Sequence, residues 1–346
     1  MDLKIATDQD AQKWDEVVEC SPNGELFHTW RWLKLIEEHS IQKIGSFQSI
    51  ARLYPVFLME KETIVGIFPL YTFQVPFIKF CFSPPPHVDT MYLGPLFPGI
   101  NNLIPSKTQS FLEEVQVVMD QFIKKDLRAN YVRLNTPPGY DDCRFFKWGG
   151  YESEPRYTGY IDLREGLDIL WKNLSRSLRQ AIERAKKEGL CVSEGNKDDV
   201  YYIFDLLKER NRISTSKQFL GAVYDAFSQD NLKIFIAKAG EKRLSGIILI
   251  IYKDKVTFWC GAPKSTYKEV TPNELLLWEA ICWAESQGFK TFELEGADDF
   301  SLYPFKRKFN AKNVLYFQNR WFSPPLQMLS RTYHAFKRRD MNQLEL

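Results

Sequence analysis

The 346-residue sequence is poor in the residues that most catalytic motifs need. Its four histidines, His28, His39, His87 and His334, stand far apart, and their spacing suggests neither a His-dependent triad nor a metal site. Its six cysteines, at 20, 81, 143, 191, 260 and 282, form no CxxC and no His–Cys cluster of metal spacing. No metal is therefore expected, and the expected setting is a reducing cytoplasm. Cys191, Cys260 and Cys282 sit in apolar runs and are expected to be small buried side chains. GxSxG, HExxH, the Walker loop and a GxGxxG after a strand are all missing. No apolar run is long enough to span a bilayer, and the opening MDLKIATDQD is too polar for a signal peptide. A net charge of +2 does not argue for DNA.

What is present suits a soluble chain with room for two cores: 44% hydrophobic, 26% charged and 15% aromatic residues. Apolar spacing predicts helices at 8–19, 27–39, 106–125, 167–188, 198–210, 217–228, 271–287 and 326–339. Strands are expected at 49–59, 63–73, 131–135, 157–163, 190–194, 233–239, 244–252, 255–261, 289–294 and 314–322. The proline-rich stretch 74–100 reads as an extended loop. These elements make an α/β (α+β) chain of two units, 1–164 and 165–346. Each runs helices, an antiparallel meander, a long helix, a strand and another strand.

Two stretches carry chemistry. In 271–310, Thr271 is an expected N-cap with Pro272 first in the helix and Glu274 three residues on. The strand after this helix leads through ELEGADD to the turn PFKRKFN, three cations among two phenylalanines. In 167–188 an apolar stripe backs a face with Arg176, Arg179 and Arg184. Arg176 and Arg179 are candidate clamps for an anion, and the plainer reading is a solvated face with Arg179–Glu183 and Arg184–Glu188 pairs. Paired acids such as Asp298–Asp299 read as loop or cap residues. Cations and aromatics without a triad suit acyl transfer to an amine, where a tetrahedral oxyanion needs donors and the amine must lose a proton. Lys306 would supply the charge and Phe305 an apolar wall, with the proton acceptor open between Glu295, Asp298 and the substrate itself.

Three segments, ELFHTWRWLKLIEE, LWKNLSRSLRQAIERAKKEGL and TPNELLLWEAICWAESQGFKTFELEGA…YPFKRKFNAKNVLY, together resemble the FemABX-like branch of the GNAT acyltransferase superfamily. The resemblance implies two tandem GNAT-like domains, each a mixed, largely antiparallel sheet flanked by helices, with a substrate cleft between them. It implies roles in catalysis and tRNA-end binding for Phe305 and Lys306; Arg307 and Lys308 of the same basic turn are candidate substrate contacts. It also implies an arginine for an anionic acceptor, at Arg212 or Arg210. The implied donor is an acyl-CoA or an aminoacyl-tRNA. The implied acceptor is a small molecule or a cell-envelope precursor bearing an amine. The sequence APKSTYKEVTPNE lacks the glycine-rich pyrophosphate loop of CoA-binding relatives, and the chain lacks the helical arm of several Fem proteins. The competing expectation is a binding module on a degenerate GNAT fold, holding tRNA or another anion without turnover.

Overall fold

A computed structural model describes residues 1–39, 41–44, 47–140, 142–210, 213, 215–262 and 265–328. The first half of the chain contains β1 (Asp2–Ile5), α1 (Ala11–Cys20), α2 (Trp30–His39), β2 (Ile41–Ile44), β3 (Phe47–Ile50), β4 (Arg52–Glu60) and β5 (Thr63–Val75). It continues with β6 (Ile78–Ser83), α3 (Pro105–Gln121), β7 (Tyr131–Asn135), α4 (Arg144–Trp148) and β8 (Glu152–Asp162). The second half contains α5 (Leu167–Asn173), α6 (Arg176–Lys187), β9 (Leu190–Glu194), α7 (Lys197–Glu209), α8 (Lys217–Phe227), β10 (Leu232–Ala239) and β11 (Lys242–Tyr252). It closes with β12 (Lys255–Gly261), α9 (Pro272–Ser286), β13 (Thr291–Glu293), α10 (Tyr303–Lys306) and β14 (Lys312–Phe322).

Twelve of these strands form one sheet in the order β1-β4-β5-β6-β7-β14-β8-β13-β12-β11-β10-β9, and β2 pairs with β3 apart from it. The expected repeat is visible once β6 is added. Each half runs three antiparallel strands (β4–β6, β10–β12), a crossover helix (α3, α9) and a strand parallel to the third (β7, β13). The last strand of each half is then exchanged. β14 lies against β7, β8 lies against β13, and β8 and β14 pair with each other over nine residue positions.

The core is continuous between the halves. Trp32 of α2 is fully buried against Phe219 and Phe227 of the α8 helix and Trp259 of β12, at centroid separations of 5.4–6.0 Å. Each such ring removed from water contributes roughly 1.5–3 kcal/mol. Helices α1, α2, α7 and α8 thus share one apolar cluster on one side of the sheet. Helices α3 and α4 cover the other side in the first half, and α5, α6 and α9 do so in the second.

Four expectations need correction. The stretch 74–100 contains β6, whose Phe80 and Phe82 stack with Phe73 at 4.7 and 5.4 Å, so proline-rich sequence does not stop pairing before Pro84. The helix expected over 167–188 is two helices. Ser175 leaves the helical path and its hydroxyl accepts Leu178 N at 3.3 Å, which starts α6 afresh. Thr271 makes no side-chain cap, and Glu274 is instead buried beside Lys308 Nζ at 3.4 Å. Cys191 is exposed, because it faces outward on the edge strand β9, while Cys260 is buried. The expected terminal helix begins as a helical turn at 324–328, and its basic end, 331–339, lies outside the described residues.

Candidate active site

Parallel strands diverge at their carboxyl ends, and in an α/β sheet that is where a ligand finds a crevice. Here β12 pairs with β13 only from Lys255 to Thr257, after which β12 runs on to Gly261 and the other chain turns away. Trp259 bulges out of the β11–β12 ladder at the same level, with Ile248 opposite Cys260 and Leu249 opposite Phe258. β6 and β7 part in the same way after Ser83 and Leu134. Between these openings lies a cleft of about 1220 Å³. Its walls come from the loop Pro84–Met91, the strands β7, β8, β12 and β14, the start of α9 and the segment from Glu295 to Lys308.

The turn after β13 places the central pair. Glu295 (φ 49°) and Gly296 (φ 43°) both adopt left-handed backbone, so the chain reverses sharply over the end of β13. A Cβ on Gly296 would stand 3.3 Å from Lys306 Nζ, so only glycine leaves the lysine clear room. Lys306, on α10, donates to the backbone carbonyls of Glu295 at 2.6 Å and Gly296 at 3.4 Å. The Glu295 carboxyl lines the cleft, and its buried Oε1 has no hydrogen-bond partner among the described residues. Burial, and then the Glu293 charge, push that carboxyl well above the usual carboxylate range, while Lys306 and Lys255 pull it back. Burial lowers the Lys306 ammonium, and Glu295 partly restores it. Phe305 also lines the cleft and packs on Phe309 at 5.4 Å.

Beneath this pair is a buried polar floor. Tyr92 donates to Glu293 Oε1 and Oε2 at 2.9 and 2.8 Å, and Thr158 donates to Oε1 at 2.6 Å. Lys255 bridges Glu293 at 2.6 Å and Glu25 at 2.5 Å. Burial pushes the Glu25 carboxyl up to about 7, against the pull of Lys255 and with the push of Glu293. Burial works against the Lys255 ammonium, but the charges of Glu25 and Glu293 outweigh it and hold it well above its ordinary value. The floor ties the turn at Leu26–His28 to β8, β12 and β13, so it fixes the height of Glu295 against both halves.

The residues expected from sequence divide sharply. Lys306, Phe305 and Lys308 line the cleft. Arg307 is not among the lining residues and stacks 5.6 Å over Tyr303. Arg210 lines the cleft, and Arg212 lies outside the described residues. Arg176 and Arg179 do not belong to it. Arg176 is exposed at the start of α6, and Arg179 Nη1 donates to the carbonyls of Lys172, Leu174 and Trp171 at 2.7, 2.8 and 3.3 Å. Its fork closes the end of α5, which leaves no clamp for a substrate. The expected i, i+4 partners also differ, since Arg184 reaches Glu269 at 3.0 Å. Of the carboxylates proposed as proton acceptors, Asp298 accepts the backbone N–H of Tyr157 at 2.8 Å, whereas Glu295 keeps a bare oxygen. Sequence reasoning missed the floor and the polar faces of β7 and β8. Arg133 and Asn135, and Arg156, Thr158 and Tyr160, recur every second residue, which marks one polar face on each strand.

Comparison with known proteins agrees with this fold. The family model of the acetyltransferase (GNAT) domain matches residues 172–307. The crystal structure of FemX superposes with a TM-score of 0.66 at 16% identity, covering 95% of this chain and 99% of that one. L-PGS from Bacillus licheniformis gives 0.53 at 13%, covering 94% and 97%. A tandem GNAT protein from the clavulanic acid biosynthesis pathway gives 0.51 at 9%, covering 92% and 98%. No curated protein matches the chain in sequence. Residues 172–307 thus match an acetyltransferase (GNAT) domain, and the chain as a whole shares the fold of FemX and of the tandem GNAT protein. Among the described residues no helix is long and apolar enough to cross a membrane, and no cluster of His, Cys, Asp or Glu could hold a metal.

Proposed function

We propose that the protein transfers an aminoacyl group to an amine, with Glu295 as the proton acceptor and Lys306 as the charge that steadies the oxyanion. The reading takes 1–164 and 165–346 as two GNAT-like units that exchange their last strands over this cleft. The observation that carries it is the pairing of a buried, unpartnered carboxylate oxygen on Glu295 with the Lys306 ammonium on the adjoining backbone carbonyls. An amine attacking an activated carbonyl develops negative charge on oxygen and positive charge on nitrogen. The raised Glu295 carboxyl is a stronger base than an exposed one and can take the proton, while a cation in a half-dry site stabilises the oxyanion. Phe305 and Phe258, on the cleft wall, exclude water from the carbonyl.

The start of α9 supports an aminoacyl ester over a CoA thioester as donor. GNAT enzymes generally use acyl-CoA, whose pyrophosphate seeks backbone N–H groups at a helix start. Here that start carries Pro272, which has no N–H, and the buried carboxylate of Glu274. The side chain of Asn273 is already engaged, donating to Ala262 O at 2.9 Å and accepting from Ser265 N at 3.3 Å. A pyrophosphate placed there would meet a like charge.

Thermal stability with a panel of acetyl-CoA, free CoA and an aminoacyl-RNA minihelix tests the donor, because a ligand at about a hundred times its Kd adds about 2.7 kcal/mol. The expected result is a shift with the charged minihelix and none with CoA. A shift with CoA alone overturns the donor. Label transfer from the charged minihelix to a panel of amines tests the reaction, and binding without transfer to any of them returns the chain to the binding-module reading.

A further inference from the structure

We infer that Arg133 and Arg156, which line the cleft, and Arg320 beside them form a phosphoryl-binding subsite, on the three strands that meet where the halves exchange. Arg133 on β7 stands directly opposite Arg320 on β14 in the antiparallel register. Arg156 on β8 faces Tyr316 of β14 on its other side. Like charges facing each other across a ladder destabilise a sheet, so the arrangement needs an anion to make sense. The side chains near them answer only part of this charge. Glu154 Oε1 pairs with Arg156 at 3.1 Å, and its Oε2 pairs with Arg320 at 3.4 Å. Arg133 has a weak contact to the carbonyl of Pro84 at 3.4 Å and lies 5.0 Å over the Phe82 ring.

The second observation is independent of charge. The Nε atoms of all three arginines are buried, and none has a hydrogen-bond partner among the described residues. A buried donor left unpaired is costly, and three in one place are a set of N–H groups waiting for acceptors. Guanidinium forks match the oxygens of a phosphate or diphosphate. Neighbouring cleft residues Asn135, Tyr316 and Gln318 are neutral, and the acids on the same ladder are Glu154 and, opposite Arg320, Glu152, so three cations meet two carboxylates there. Arg133 and Arg156 line the same cleft as Glu295 and Lys306, which lets one substrate span both. The assignment of that substrate to the transfer reaction rests on the function proposed above; the anion site itself does not.

The test is titration of the full chain with inorganic pyrophosphate in magnesium-free buffer, read by thermal shift and by the arginine side-chain N–H signals in ¹⁵N NMR. Saturable stabilisation is expected, with three Nε–H signals moving together. Arg133→Gln and Arg156→Gln should each weaken binding by roughly tenfold or more. Both variants should stay folded, since each loses one partly exposed contact, Glu154 for Arg156 and Pro84 O for Arg133, and at the same time one repelling cation. Lys306→Met should bind pyrophosphate like the parent. No saturable response in the parent, or equal binding in Arg133→Gln and Arg156→Gln, overturns the site. Loss in Lys306→Met with retention in Arg133→Gln also overturns it, by placing the anion at the catalytic turn. Pyrophosphate binding at the arginines in a protein that transfers nothing would remove the transferase reading and leave this one standing. Competition then says which substrate carries the phosphoryl group, according to whether pyrophosphate displaces the donor or raises the KM of the amine.

Discussion

Replacing Lys255 with methionine is a direct trial of the buried floor. The ammonium sits between Glu25 and Glu293, at 2.5 and 2.6 Å, and all three side chains are largely out of water. Methionine fills much the same volume but leaves two carboxylates facing each other without a cation. Removing one partner of a buried ion pair costs about 3–5 kcal/mol. For 346 residues, an unfolding entropy of about 2.1 cal/mol/K per residue makes 1 kcal/mol worth about 1.4 °C. The expected fall in Tm at pH 8 is therefore roughly 4–7 °C. The pH dependence is the sharper part. Without the cation the Glu25 carboxyl, already raised by burial, loses the charge that pulls it down, so the folded protein holds a proton that the unfolded chain has released. Stability then falls as pH rises from about 4.5 toward 8, and the deficit against wild type should be much smaller at pH 5. Denaturant unfolding at pH 5 and pH 8 measures both. Adding Glu25→Gln to Lys255→Met should recover part of the loss at pH 8. An equal deficit at both pH values, or a loss below about 1 kcal/mol at pH 8, refutes the claim that the lysine's charge holds this floor.

Other outcomes follow from the same geometry. Lys306→Met should lower the rate of transfer about 100-fold or more while Tm moves by only a few degrees, and a rate within a few-fold of wild type removes its role. In wild type the transfer rate should rise with pH as the raised Glu295 carboxyl ionises. Glu295→Gln should be slow and should lose that rise, and an unchanged pH profile would reassign the base. Glu25→Gln alone should flatten the decline of wild-type stability between about pH 4.5 and 7, because Glu25 keeps its proton in the fold up to about 7. Arg179→Ala should cost about 1–3 kcal/mol in unfolding free energy by freeing three carbonyls of α5, and leave pyrophosphate binding unchanged.

Local signals carried much of this fold. β7, β9 and β12 have the bounds expected from sequence, because each is a short run of strand formers with sharp ends. The basic turn that lines the cleft stood out too, since three cations between two phenylalanines are unusual shortly after a strand. Arg179 was misread because a basic helix face looks the same whether it meets substrate or a neighbouring helix end; only the break at Ser175 brings the α5 carbonyls within its reach. The floor was invisible for a different reason. Glu25, Tyr92, Thr158, Lys255 and Glu293 are scattered over nearly 270 residues, and each alone reads as a surface residue or a core tyrosine. Their meeting depends on sheet order, which pairs strands from opposite halves and has no local sign.

The exchanged strands also set when the protein can work. A ribosome releases β8 long before β13 and β14, its two neighbours in the sheet, exist. Until then β7 has an open edge and β8 has no partner, and exposed edges invite pairing with other chains. Arg320 and Tyr316 arrive with β14, and the cleft gains its middle wall only after Lys306 has been made. A nascent chain stalled before β14 therefore has most of its helices but no complete place to bind, so a half-made copy cannot hold substrates in a productive arrangement. Separating the halves by proteolysis would not yield two small domains, because each would carry the other's closing strand.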